Sequence, residues 1–249
     1  QDVRFSWGAI EEGRKLANKL WNVSRLILTA AEGVTPAPRP RDLEERWVLA
    51  RIDATRAEVE ELLPQFDFGH VAAALYHLTF DDFCDWYAEA IKPRLYDKDA
   101  DALATALAAL ERLLALLHPV MPHVTEEIWA QFHETRLIVS PWPEPDEHGG
   151  DASALDRVQE AAAVFRRSGV LPVEFDPEEK RIFDAVVRPE RYKGNGDAEA
   201  EIARLRKEIA RGEGMLANER FVGNAPAEVV EAEREKLARY RRELAALGG

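Results

Sequence analysis

The sequence predicts a mainly α protein built from an antiparallel helix bundle, a short mixed connector and a C-terminal antiparallel coiled-coil hairpin. Three observations carry this. Apolar residues recur at alternating spacings of three and four through most of residues 8–135, the period of helices that bury one face. Ala, Leu, Glu and Arg fill these runs, and the prolines fall mainly between them, as helix propensity requires. Residues 198–249 carry two three-four apolar series separated by a Gly-Asn-Ala-Pro reversal, the pattern of a helical hairpin.

Residues 1–7, QDVRFSW, read as an extended lead-in, and a start without Met suggests a cut or processed boundary. The first helix is expected from Gly8 to Glu32, with Ile10, Gly13, Ala17, Leu20, Ser24 and Ile27 as its packing stripe. Glu11, Lys15, Asn18, Asn22 and Arg25 form a polar stripe on another side, beside Lys19 and Trp21. That stripe is either the solvated side of an amphipathic helix or a surface able to hold RNA. Trp21 is expected in the core.

GVTPAPRPRD then stops the helix, because proline cannot continue it. Asp42 is placed to cap a second helix, with Glu44 and Glu45 in the first turn and Val48, Ile52, Thr55, Val59 and Leu62 as its packing stripe. Pro64 ends it. Asp67 caps a third helix running to about Tyr96, whose apolar face includes Phe68, Val71, Leu75, Leu78, Phe83, Trp86 and Ile91. The fourth has the cleanest stripe, Leu103, Leu107, Leu110, Leu114 and Leu117. A short fifth helix opens at TEEIWAQF, with Thr125 near its cap.

A proline- and acid-rich crossing follows, with a short extended piece at Leu137–Ser140. The expected parts are therefore a bundle at 1–146, a connector at 147–197 and an arm at 198–249. Within the connector, one helix is expected over 153–168, Val170–Phe175 and Ile182–Val187 are β-prone, and Gly194-Asn195-Gly196 marks a turn. In the arm, Ile202, Leu205, Ile209, Gly212 and Leu216 face Val230, Glu233, Leu237, Tyr240, Leu244 and Leu247. Each limb is about 20 residues, or roughly 30 Å, long.

Composition bounds the function. The 249 residues are 46% hydrophobic with a net charge of −13, enough for a packed core and unlike a nonspecific polyanion binder. The acidic excess lies in the middle of the chain, because 1–33 and 198–249 are near charge balance. No apolar run approaches the ~20 residues that span a bilayer, and the first residues lack a basic region followed by an apolar core and a small-residue cleavage site; the expectation is a cytoplasmic protein without membrane partners. The single cysteine, Cys84, excludes an internal disulfide.

No catalytic constellation emerges. His118 and His123 are separated by two prolines, Asp81, Asp82 and Asp85 lack further ligands nearby in sequence, and GNG and GEG lack the context of a phosphate loop. No metal site is expected. The residues alone describe a helical binding module.

KLANKLWNVSRLIL at 15–28 resembles the opening helix of the anticodon-binding domain in class I aminoacyl-tRNA synthetases of the valine, isoleucine and leucine group. QDVRFSW resembles the end of their catalytic core, and ERWVLARI, FDDFCDWYAEAIKPRLY, LLALLHPVMPHVTEEIW and SPWP follow in the family's order. ANERFVGNAPAEVVEAEREKL is similar to the coiled-coil tip that sets the valyl-tRNA synthetase family apart. The resemblance spans 1–145 and 198–249, the C-terminal half of that family. The connector is short for the family's α/β junction.

This resemblance implies tRNA(Val), not DNA, as partner, together with a catalytic half that uses ATP and Mg. The family's HIGH and KMSKS motifs, which bind and activate ATP, are absent from the sequence, so the chain itself is expected to need no cofactor and to form no valyl-adenylate. It further implies that the bundle takes the anticodon arm through Lys15, Asn18, Lys19, Asn22 and Arg25. The hairpin would meet the outer corner of the tRNA, with Arg204, Lys207, Arg211, Arg220, Arg234 and Arg241 as candidates for backbone contact. The competing reading is a noncatalytic protein-interaction module whose coiled coil docks a protein partner.

Overall fold

The computed structural model describes residues 6–192 and 198–247. The chain divides into two compact units, Gln1–Leu155 and Asp156–Gly249. Residues 147–155 thus group with the bundle, and the helices of the expected connector group with the arm. Among the described residues there is no strand.

In the first unit, α1 spans Trp7–Ala30. It packs through Leu16, Leu20, Ser24, Ile27 and Ala31, all buried. The expected stripe fails at its start: Ile10 is 50% exposed, and no described atom lies within 4 Å of a β-carbon built on Gly13. The helix ends before Gly33, whose φ of 78° is a left-handed conformation that favours glycine. The strap at 34–41 then crosses α5 (Ala100–Leu117), where the Ala37 N–H donates to the Ala104 carbonyl at 3.1 Å.

Helix α2, Leu43–Leu62, begins on the predicted Asp42 cap, which forms a reciprocal capping box with Glu45. The α3 helix, Phe68–His77, is capped by Asp67 and runs into a π-helical stretch, Leu78–Tyr87, and then α4, Ala88–Tyr96. The sequence carries this irregularity: the buried apolar positions step by four and three from Val71 to Leu75 and Leu78, then by five to Phe83. An i→i+5 turn accommodates that step and returns Trp86 and Ile91 to the core. Phe68, expected on the apolar face, is 60% exposed.

The α5 leucines at 103, 107, 110, 114 and 117 are all buried, each burial stabilising by about 1.5–3 kcal/mol. They make α5 the centre of the bundle. Its neighbour α6 spans Pro122–Trp129 with proline at its first position, where a missing N–H costs nothing. Thr125 therefore sits inside the helix and not at the cap; its hydroxyl donates to the Met121 carbonyl at 2.9 Å. The expected extended piece at Leu137–Ser140 is instead a 3-10 turn, Leu137–Val139. The Glu126 carboxylate accepts from the Leu137 and Ile138 N–H groups at 3.0 and 3.2 Å and fixes it.

The second unit corrects the mixed connector. Ile182–Val187 belongs to α8, Pro177–Val187, which follows α7, Asp156–Ser168. The Asp176–Glu179 capping box and Pro177 start this helix, and those local signals override the β-branched propensity of its second half. Val170–Phe175 has no regular structure, and the expected turn at 194–196 lies outside the described residues.

The arm consists of α9, Ala198–Leu216, a short α10, Glu219–Asn224, and α11, Ala227–Ala246. The limbs are antiparallel: Arg204 meets Tyr240, whereas Gly212, further along α9, meets Glu233 and Leu237, earlier in α11. A β-carbon on Gly212 would lie 3.3 Å from Leu237 Cδ1, so glycine lets the helices approach closely. Leu205, Gly212, Val230 and Leu237 form the buried seam.

Candidate nucleic-acid interface

The polar stripe of α1 borders a groove of about 340 Å³ between α1 and α6. Trp21, Ser24, Arg25, Leu28 and Thr29 line it from α1 and Glu32 from the turn that follows, and Ile128 and Gln131 close the other side. Trp21 is 38% exposed, contrary to the core position expected from sequence. Its place one residue past Leu20 takes it off the stripe formed by Leu16, Leu20, Ser24 and Ile27. The indole consequently forms part of a groove wall.

Ser24, in the same lining, is 1% exposed, and its hydroxyl has no hydrogen-bond partner among the described residues. A buried hydroxyl left in that state costs about 1–3 kcal/mol. Arg25, Thr29 and Gln131 add a guanidinium, a hydroxyl and an amide around the same space. A flat apolar wall edged with both donors and acceptors has the chemistry that stacks an unpaired base and reads its edge.

The other candidates on α1 separate into two groups. Lys15, Asn18 and Asn22 are exposed, outside the groove lining but on the same stripe. Lys19 is engaged within the bundle: its ammonium lies 2.6 Å from Asp85, donates to the Phe80 carbonyl at 3.2 Å and sits 3.2 Å from the Phe80 ring centroid. A ligand would have to replace those contacts. Gln131 and Ile128 are not readable from sequence as site residues, because α6 joins the groove through tertiary packing over a long sequence separation.

On the arm, Lys207 is exposed and has no ion pair among the described residues. Arg211, Arg234 and Arg241 are exposed too, with Glu208 at 3.9 Å, Glu231 at 3.0 Å and Glu213 at 2.7 Å as respective partners. Such exposed pairs are worth about 0–1 kcal/mol and exchange readily for a phosphate. Arg204 differs. It bonds the buried Glu201 carboxylate at 2.8 Å and holds that carboxyl below its usual range; Arg167 approaches the same group at 2.7 Å. The Arg220 side chain lies outside the described residues.

Among the described residues, no group of three or more His, Cys, Asp or Glu side chains is placed to hold a metal ion. Asp82 pairs with Arg51 at 2.8 Å and Asp81 with His77 at 2.8 Å. With Asp85 on Lys19, the three aspartates point to separate partners. No described helix is long and apolar enough to cross a membrane.

Comparison with known proteins shows what the chain is similar to. A family model described as the anticodon-binding domain of tRNA ligase matches residues 45–169, and one described as the valyl tRNA synthetase tRNA binding arm matches residues 198–248. The valine–tRNA ligase of Enterococcus faecalis is 33% identical over an alignment covering 96% of this chain and 35% of that protein. That of Gloeobacter violaceus is 31% identical, with 99% and 36% covered; for Deinococcus radiodurans the values are 28%, 96% and 35%. The chain thus spans about a third of the length of these relatives.

Proposed function

This chain belongs to the family of the anticodon-binding domain of tRNA ligases, and from that premise we propose that it is the tRNA-handling part of a valine–tRNA ligase. The bundle takes the anticodon arm, and the hairpin supports the RNA elsewhere. Both serve the ATP-dependent attachment of valine to tRNA(Val) in the cytoplasm by a catalytic part with the motifs absent from this sequence. The observation that carries the reading is the groove beside α1, lined by the exposed Trp21 and by Arg25.

Lys15, Asn18, Asn22 and Arg25 supply the RNA-facing cations and amides of this reading, and Lys19 supports the helix that carries them. Lys207, Arg211, Arg234 and Arg241 supply exposed arm contacts, while Arg204 holds the base of the hairpin; Arg220 remains a candidate on the sequence resemblance alone. The limbs' antiparallel packing supports a coiled-coil arm. Trp21→Ala and Arg25→Gln, made separately, test the groove: each is expected to weaken binding to valine tRNA while leaving the thermal midpoint nearly unchanged. Unchanged affinity in both variants would move the anticodon contact elsewhere.

A further inference from the structure

Two charged residues line the groove between α1 and α6, Arg25 and Glu32. Both are exposed, and neither has an ion-pair partner among the described residues. Seven positions, or about two helical turns, separate them, and they do not pair with each other. Arg25 suits a phosphate. Glu32 does not, because a carboxylate repels the phosphates of an approaching strand.

The place of Glu32 in the fold gives no structural reason for a carboxylate. The residue follows Ala31, the C-cap of α1, at the helix end where the macrodipole is negative and disfavours an anion. The last turn of α1 carries no basic side chain. Lys98 reaches this end from the turn between α4 and α5, but its ammonium donates to the Ala30 carbonyl at 2.8 Å and forms no ion pair with Glu32. Local electrostatics oppose the charge, and an exposed side chain is not needed for packing. Its acceptor oxygens are therefore left free at the edge of the groove.

We propose that Glu32 is a base-reading residue, its carboxylate accepting a hydrogen bond from the exocyclic amino group of an unpaired cytosine held in the groove. The inference rests on the RNA-binding reading of the bundle and names a base that the groove selects. An ionised carboxylate only accepts. The N4 amino group of cytosine is its matched donor, whereas uracil presents its O4 acceptor at the same place and sets lone pairs against lone pairs. Unpaired bases expose this edge to side chains. Valine codons begin with guanine, so the anticodon that pairs with them carries cytosine at its third position. One carboxylate thus binds the amino-bearing base and rejects both uracil and a misplaced phosphate.

The test uses the full chain and two transcripts of valine tRNA, one unaltered and one with uracil in place of the third anticodon cytosine. The unsubstituted chain is expected to prefer the unaltered transcript roughly five- to fiftyfold, the range of one matched base contact. In Glu32→Gln the preference is expected to fall below about threefold, chiefly because the uracil transcript binds more tightly: the new amide can donate to O4. Misfolding does not imitate that gain. An equal gain for both transcripts would make Glu32 a repulsive charge on a solvated face and overturn the proposal. An undiminished preference in Glu32→Gln, in a protein whose binding still falls on Trp21→Ala, would overturn it and leave the groove reading standing, as would equal binding of both transcripts by the unsubstituted chain. Failure of the unsubstituted chain to bind either transcript would overturn both readings.

Discussion

The Lys19 ammonium lies 2.6 Å from the Asp85 carboxylate and against the Phe80 ring, joining α1 to the π-helical stretch of the bundle. The side chain is 23% exposed. Lys19 is thus a tie within the bundle, whereas Lys15, one turn earlier on α1, is exposed. Lys19→Met is expected to lower unfolding free energy by about 1 kcal/mol, from loss of a partly screened ion pair and a cation–π contact. Lys15→Met should change it by less than about 0.5 kcal/mol. Urea denaturation of both variants checks the difference, and equal stability would return Lys19 to the surface set.

Trp21 makes the opposite prediction. Its indole is part of a groove wall, so Trp21→Ala removes stacking area while leaving the buried stripe of α1 intact. Loss of one base–aromatic stack is expected to weaken tRNA binding by about 1–3 kcal/mol. The effect should appear in the dissociation rate more than the association rate, because the indole is uncharged. Stopped-flow measurement of both rates separates this from an electrostatic effect, which would act mainly on association.

Arg94 and Glu45 supply a structural prediction. Glu45 is fully buried, and Arg94 Nη1 reaches it at 2.9 Å while also holding Asp42 and Asp99. Removing the cation leaves a buried carboxylate without its charge partner. Arg94→Met is expected to destabilise the bundle by about 3–5 kcal/mol, a loss that denaturant unfolding measures. The strap depends on the same corner, since Glu45 also accepts the Arg41 N–H.

How far the sequence reveals these features follows from the range of the physics. Helix starts are readable where the signal is local, as at Asp42 and Asp67, and the leucine stripe of α5 defines its packed face. The same local reasoning misses α8, because β-branching in Ile182–Val187 points to a strand unless the Asp176–Glu179 capping box upstream is set against it. Trp21 is misplaced because a bulky aromatic near an apolar stripe reads as core, although its angular position lies off that stripe. Gln131 and Ile128 reach the groove only through the packing of α6 on α1, and Lys19's engagement depends on Phe80 and Asp85, 61 and 66 positions away in the chain. Neither relation has a local sequence signature.

In the second unit, Arg204 bonding to Glu201 lowers that carboxyl's pKa, opposed by burial and assisted by Arg167. A depressed carboxyl contributes stability that is present above its unfolded value, about 4.5, and is lost as pH falls through its lower folded value. The midpoint difference between the unsubstituted chain and Glu201→Gln should therefore favour the unsubstituted chain at pH 7 and shrink on acidification below about pH 4.5. Thermal melts from about pH 3 to about pH 7, spanning the ordinary carboxylate range, test this. A difference that grows with acidity would contradict the assigned charge pairing.

Cys84 provides an independent probe of the bundle. It is 2% exposed, and burial pushes its thiol up to about 12. At mildly alkaline pH it is expected to resist a thiol-specific reagent in the native state and to react only as the bundle opens. Labelling across a urea gradient should track unfolding of α3–α4, and rapid labelling without denaturant would contradict the packed position.

Equilibrium binding of the purified chain to valine tRNA and to a noncognate tRNA, across a salt series, tests the central claim most directly. The expected result is a cognate preference that persists as salt rises, superimposed on a clear salt slope: base contacts in the groove specify, and phosphate contacts position. Equal affinity for the two RNAs at every salt concentration would contradict anticodon reading by this chain. Failure to bind either would contradict the account of the bundle as an RNA surface.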